Sequence, residues 1–173
     1  KTRAEIEALQ QRLDIHHPFI AENGGAIVAP LGYFEHVPPG AMVNGGRFVL
    51  ALGRPYAEVV NGLREVAAAE RVRVVGFSDM TVGDVAEECG LPVLDAQLAK
   101  LREYDEPFRL LDSDAAARSR FLKALHRRGL KAVGLEPSFY LFRGRARDEL
   151  LPWDIIDNGV SKAYYLRELD KSL

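Results

Sequence analysis

The sequence predicts an α/β fold, a small sheet with helices packed on one face. Three observations carry this. Strand-like and helix-like segments follow one another in the order β-α-β-α-α-β-α-β over residues 47 to 133, the alternation of a layered unit. Arg71-Val-Arg-Val-Val75 alternates with the two-residue period of a strand. Capping residues precede several helical stretches, and Gly90 and Gly129 stand where two of them should stop. After residue 133 the texture changes to the turn-rich, apolar and acidic run Leu151-Pro-Trp-Asp-Ile-Ile-Asp-Asn-Gly159, followed by a short helix from about Val160. The chain is therefore divided into residues 1–46, residues 47–133 and an irregular helical tail over 134–173.

Thr2-Arg-Ala-Glu5 has the spacing of a capping box, and Ile6, Leu9 and Leu13 fall on one helical stripe, so the chain should open with a helix. Pro18-Phe-Ile-Ala21 and Ala26-Ile-Val-Ala29 are short apolar runs around Glu22-Asn-Gly-Gly25, which is turn chemistry between two strands. A loop marked by Pro38-Pro-Gly40 follows. A strand is predicted from Arg47 to Leu52, and Pro55 then opens a helix that buries Tyr56, Val59, Val60, Leu63 and Val66. Thr81-Val-Gly-Asp84 starts another helix, with Cys89 as a small packed residue at its end. A helix over 95–103 and a strand over Phe108-Arg-Leu-Leu111 come next. Ser113 or Asp114 caps a helix containing Phe121, Leu122 and Leu125, and Leu130 to Val133 supply a last strand.

Composition narrows the function. With 173 residues, 47% hydrophobic and 28% charged, the chain can bury one substantial core or two small lobes. A net charge of −2 gives no nucleic-acid surface, and the basic run His126-Arg-Arg-Gly-Leu-Lys131 suits the last turn of a helix. One cysteine excludes an internal disulfide and a cysteine-built zinc or iron–sulfur site within one chain. No apolar run is long enough to span a bilayer and no signal peptide is visible, so no membrane partner and a cytoplasmic location are expected.

The most informative segment is Leu101-Arg-Glu-Tyr-Asp-Glu-Pro-Phe108. Leu98 and Leu101 lie one turn apart, and Pro107 forces Glu106 out of helical geometry, so Arg102, Glu103, Asp105 and Glu106 fan around a helix terminus. Arg102 offers a planar fork for a carboxylate or phosphate, and the acids can accept bonds from sugar hydroxyls. The same residues also fit a solvated helix end with local ion pairs.

Four segments in order, Lys1-Thr-Arg-Ala-Glu5, Pro18-Phe-Ile-Ala-Glu-Asn-Gly-Gly-Ala26, Gly76-Phe-Ser-Asp-Met-Thr81 and Arg102-Glu-Tyr-Asp-Glu-Pro-Phe108, resemble the mannosyl-3-phosphoglycerate phosphatase family of haloacid-dehalogenase-type hydrolases over residues 1–131. The resemblance implies a catalytic core with an inserted α/β cap that recognises substrate. Residues 1–46 would then be partial core and core–cap junction, and 47–133 the cap. It also implies that Asn23, Gly24 and Gly25 face the substrate from the junction. Asp79, Met80 and Thr81 would hold an anion or sugar from a helix start, and Arg102, Glu103 and Asp105 would complete the pocket. The implied ligand is a phosphorylated sugar glycerate and the implied cofactor is Mg²⁺.

The nucleophilic aspartate of such enzymes, and the acid–base aspartate two positions later, are expected upstream of residue 1, and the family's acidic metal motif is not recognisable after Lys131. No catalytic residue and no metal ligand is therefore assigned to this chain. Asp112-Ser-Asp114 lacks the Gly-Thr that usually follows a nucleophile loop, and Gly83-Asp84 with Glu87 and Glu88 only mimics a metal motif. Both sets suit helix caps and solvated helix faces. Asp170-Lys171 is too short to count as the family's lysine motif. Over 135–173, Glu136-Pro-Ser-Phe-Tyr140 and Leu151-Pro-Trp-Asp-Ile-Ile-Asp-Asn-Gly-Val-Ser-Lys162 resemble a segment of cobalamin-associated radical S-adenosylmethionine proteins, without the three cysteines of their cluster.

His16, His17, His36 and His126 have no partners at metal-ligand spacing, Gly45-Gly46 and Asn61-Gly62 do not form a phosphate loop, and no Gly-x-Ser-x-Gly element is present. The leading expectation is a substrate-recognition cap of a Mg-dependent sugar-phosphate phosphatase, inactive alone, with a homodimer or a missing core domain as partner. The alternative is a non-catalytic binding or self-assembly module on the same fold, with Trp153, Ile155, Ile156, Tyr164 and Tyr165 as contact surface.

Overall fold

The computed structural model describes residues 1–111 and 114–132. Helix α1 (Arg3–Leu13) starts at a capping box: the Thr2 hydroxyl accepts from the Glu5 N–H, and the Glu5 carboxylate accepts from the Thr2 N–H. Its inward face is not the apolar stripe the sequence predicts. Leu9 and Leu13 are 39% and 57% exposed, while Glu5 and Gln10 are buried. The polar residues go inward because their bonds are met there. Gln10 donates to the His17 carbonyl at 2.8 Å and accepts from Arg47 at 3.2 Å, and Glu5 takes Lys1 at 2.7 Å.

The Glu22-Asn-Gly-Gly25 turn joins β1 (Phe19–Ala21) to β2 (Ala26–Pro30), with Ala21 opposite Ala26. Strand β3 (Met42–Asn44) has no counterpart in the sequence reading, because its three side chains are all exposed and leave no alternation. It turns into β4 (Arg47–Ala51) through Gly45 and Gly46, whose φ values of 56° and 76° are those of a two-residue hairpin turn. Strand β4 also pairs with β2 over five residues, giving the antiparallel order β1-β2-β4-β3. The strand at 47–51 thus joins the strands before it, and one continuous sheet over 47–133 is not formed.

Helix α2 (Tyr56–Glu70) buries Val60, Leu63, Val66 and Ala67. It ends at Arg71, whose φ of 55° reverses the chain, and Val72 bonds back to the Ala67 carbonyl at 2.9 Å. That reversal delays the strand predicted over 71–75 to β5 (Val74–Gly76), which pairs antiparallel with β6 (Phe108–Leu110). Helix α3 (Val82–Cys89) runs from a second capping box, Thr81 with Asp84, to Gly90, and Cys89 is exposed rather than packed. Helix α4 (Val93–Ala99) begins after Pro92 and stops before the 102–106 segment, earlier than the helix predicted over 95–103. Asp114 caps α5 (Ala115–Arg127) through the N–H groups of Ala116 and Ala117.

The α/β class holds, with helices against small antiparallel sheets. One core joins Leu63, Val66 and Val72 to Phe121 and Leu125, and the Phe108 and Phe121 rings meet edge to face at 6.0 Å. A second core lies under β2 and β4, and a third unites Met80, Val85 and Ala96. Residues 130–132 form no strand, and Leu130 packs onto Gly62 instead. Val133, the expected boundary near 134 and the tail features lie outside the described residues, as do Asp112 and Ser113. No helix among the described residues is long and apolar enough to cross a membrane.

Thr2 is fully buried and its hydroxyl also donates to the Leu98 carbonyl at 2.9 Å. Thr2→Ala removes a cap and a tertiary bond together and should cost about 1–2 kcal/mol, read as a lower thermal unfolding midpoint. The capping carboxylates also set a pH dependence. Burial pushes Glu5 up, but Lys1 and Thr2 more than offset it, and the Thr81 N–H and hydroxyl hold Asp84 down. Both folded-state values lie below the unfolded ones, so their stabilisation is present above the ordinary carboxylate range and is lost as pH falls through the depressed values. Thermal melts should lose stability progressively below about pH 4, and a midpoint flat down to pH 2 would contradict this.

Candidate functional site

Residues 22–24 run through three successive left-handed backbone positions, with φ of 51°, 55° and 98°. For Glu22 and Asn23 this is an unfavourable conformation. It aims the Glu22 carboxylate away from its own hairpin and into the 102–106 segment. There it accepts the N–H groups of Glu103 at 2.9 and 3.1 Å, Tyr104 at 2.7 Å and Asp105 at 2.9 Å. Three consecutive amides converging on one anion form a concave donor set. Glu22 is 3% exposed. Burial pushes its carboxyl above the usual range, the three amides oppose that, and a hydrogen bond with the Asp105 side chain pushes it up again.

Tyr104 lies against the turn from the other side. A Cβ on Gly25 would overlap Tyr104, and one on Gly53 would come within 3.0 Å of it. Gly25 also accepts the N–H groups of Leu52 and Gly53 at 2.8 Å each. Asn23, Gly25, Glu103 and Asp105 are therefore brought together, and the Asn23 amide donates to Asp105 at 2.7 Å. Glu103 is gripped at both oxygens by Arg3, at 2.8 and 2.9 Å. Gly24 supplies the last left-handed position, and a Cβ there would meet nothing within 4 Å.

Arg102 behaves differently from a free anion receptor. Its side chain is 6% exposed. Nε donates to the Asp105 carbonyl at 2.9 Å and to its carboxylate at 2.8 Å, Nη2 also meets that carboxylate, and Nη1 reaches the Ala99 carbonyl at 3.2 Å. The guanidinium carbon stands 5.8 Å from the centre of the Phe77 ring. The fork braces its own loop.

Across Glu106 lies the second group. The buried Glu106 carboxylate accepts the Ser78 N–H at 2.8 Å and the Tyr56 hydroxyl at 2.7 Å, and a Cβ on Gly76 would overlap it. Asp79 accepts Gly76 N–H at 3.1 Å and Arg64 at 2.6 Å, and these two donors hold its carboxyl below the ordinary range. Thr81 caps α3, and Met80 turns into the core. Lys100 ties the loop from below, donating to the Phe77 carbonyl at 2.6 Å and to that of Met80. An open groove of about 600 Å³ beside this group is lined by Asp79, Met80, Asp84, Glu87, Glu88 and Arg109. Its acids outnumber its one cation, and Arg109 already pairs with Glu88 at 3.1 Å. Such a wall accepts hydroxyls and repels phosphate.

Glu22, Tyr56 and Arg64 do not stand out as site residues in the sequence, and Glu106 does so only as one acid of the 102–106 run. Their roles depend on partners that periodicity does not reveal. Among the described residues no group of three or more His, Cys, Asp or Glu side chains comes together to hold a metal ion.

No protein-family model matches the chain. It is 38% identical over 130 residues to the glucosyl-3-phosphoglycerate/mannosyl-3-phosphoglycerate phosphatase of Methanococcoides burtonii, which covers 75% of this chain and 47% of that protein. It is 36% identical over 146 residues to the mannosyl-3-phosphoglycerate phosphatase of Pyrococcus furiosus, covering 84% and 57%. To the glucosyl-3-phosphoglycerate/mannosyl-3-phosphoglycerate phosphatase of Persephonella marina it is 36% identical over 113 residues, covering 65% and 40%. The chain spans about half the length of the curated relatives it matches.

The Tyr56 phenol is pushed well above its usual value by burial and by the Glu106 carboxylate that accepts its hydrogen bond. Glu106→Gln removes that charge and should bring the phenol back toward about 10, measurable by ultraviolet titration against Tyr56→Phe. An unchanged titration would separate the two groups.

Proposed function

From the chain's membership of the mannosyl-3-phosphoglycerate phosphatase family, we propose that residues 1–132 supply the substrate-recognition part of a phosphatase acting on a phosphorylated sugar glycerate. The supporting observation is the junction of the Glu22-Asn-Gly-Gly25 turn with the 102–106 segment, where Asn23 and Asp105 form a hydrogen-bonded polar edge. In this reading Asn23 and Asp105 bind sugar hydroxyls, and Asp79 and Thr81 belong to a second group beside the acidic groove. Arg102 and Glu103 orient the edge rather than touch the phosphate. The sugar end faces the acidic groove and the phosphate points away from it, because those acids would repel it.

Within this proposal the substrate-recognition cap is taken to begin after β4, at Leu52 to Arg54, because β4 is paired with β2. The phosphoryl-transfer residues belong to a core outside the described residues. Mg²⁺ would offset phosphate charge there. Among the described residues no cluster of acids gathers to hold it, and Glu22, the most buried carboxylate, faces three N–H donors. Ile20, Met42 and Val43, exposed on the first sheet, support a second reading in which this sheet meets a partner or a second copy.

Calorimetry with mannosyl-3-phosphoglycerate, together with a phosphate-release assay in Mg²⁺, tests the first reading. The chain should bind without releasing phosphate. Asn23→Ala and Asp105→Ala should each weaken binding about tenfold, the loss of one good hydrogen bond. Phosphate release by the chain itself would sink the recognition-only reading. Ligand-independent self-association with no binding would favour the second.

A further inference from the structure

We infer that Glu22 is a positioning residue for recognition: its carboxylate fixes the backbone of residues 103–105 and so presents Asn23 and Asp105 as a preformed edge. The inference rests on the recognition reading above and assigns it a determinant that does not itself touch the ligand.

Each other tie on this segment is weaker or more local. The Arg3–Glu103 pair is about one-third exposed at both ends, at 32% and 34%, where solvent competes for it. Asn23 and Asp105 meet in an exposed hydrogen bond. Arg102 holds the segment only from within, bonding to Asp105 and Ala99 on the same stretch of chain. Glu22 alone among these is both buried and drawn from a different element, and it reaches three consecutive amides. The backbone conformation supports the assignment. Glu22 and Asn23 occupy left-handed positions that extended residues would avoid, and those positions place the Glu22 carboxylate and the Asn23 amide on the same segment. A binding edge built from two loops must be ordered before the ligand arrives if ordering is not to be charged against affinity, and a buried carboxylate bonded to backbone does that without occupying the edge.

Amide exchange and calorimetry on the full chain test this together. In Glu22→Ala, exchange at the amides of 103–105 should rise about tenfold or more while the cores keep their protection, and mannosyl-3-phosphoglycerate affinity should fall at least about tenfold. Glu22→Gln keeps one acceptor oxygen for Tyr104 and Asp105 but sets an NH2 group against the Glu103 N–H, so both readouts should change in the same direction as in Glu22→Ala and by less. A residue that merely stabilised the fold would raise exchange throughout and lower the unfolding midpoint in proportion. Should Glu22→Ala fail to fold, Glu22→Asp serves, because a carboxylate withdrawn by one methylene cannot reach all three amides. Unchanged exchange at 103–105 overturns the inference, as does raised exchange with unchanged affinity. No binding by the unsubstituted chain overturns the recognition reading, and the exchange arm then still decides whether Glu22 orders the segment.

Discussion

A carboxylate in the first third of the chain and three amides more than eighty residues later share one buried set of hydrogen bonds, and the arrangement of the site depends on it. Taking a carboxylate out of water is costly, and the three amide hydrogen bonds offset that cost. What the interaction supplies is therefore geometry: it sets the height and direction of the 102–106 segment above the turn, and from that follow the seat of Tyr104 on Gly25 and the meeting of Asn23 with Asp105.

Charge in the site is compensated inside the chain. Arg102 is turned onto Asp105, Arg3 onto Glu103, Arg64 onto Asp79 and Arg109 onto Glu88. Each of these guanidiniums is thus met by a carboxylate of the chain itself. Glu106 extends the same logic inward, where two donors, one backbone and one phenolic, satisfy a carboxylate packed against Gly76.

The division of strands between two sheets matters for how the family relationship is understood. The curated relatives are about twice as long as the matched region. Pairing β4 with β2 keeps residues 19–51 in one sheet, and β5 with β6 builds a separate ribbon against α2 and α5. Polar groups from the turn of the first sheet and from the segment preceding β6 then face one another, an arrangement that needs both parts in place.

Local features were legible in the sequence because they depend on residues within a few positions of one another. The capping boxes at Thr2 and Thr81, the Asp114 cap, the stop at Gly90 and the Glu22-Asn-Gly-Gly25 hairpin all form where the spacing put them. The motif residues Asn23, Glu103 and Asp105 also converge, although their roles with a ligand rest on the proposal. The inward turn of Gln10, the sheet that receives β4, the bracing use of Arg102 and the anchoring use of Glu22 were not legible. Each is settled by a partner distant in the chain, since a polar group is buried only where the folded backbone brings a matching donor or acceptor to meet it. The sequence by itself determined the local elements and the polar residues at their ends; tertiary structure decided which of those residues bind one another, because only the folded chain brings distant donors and acceptors into reach.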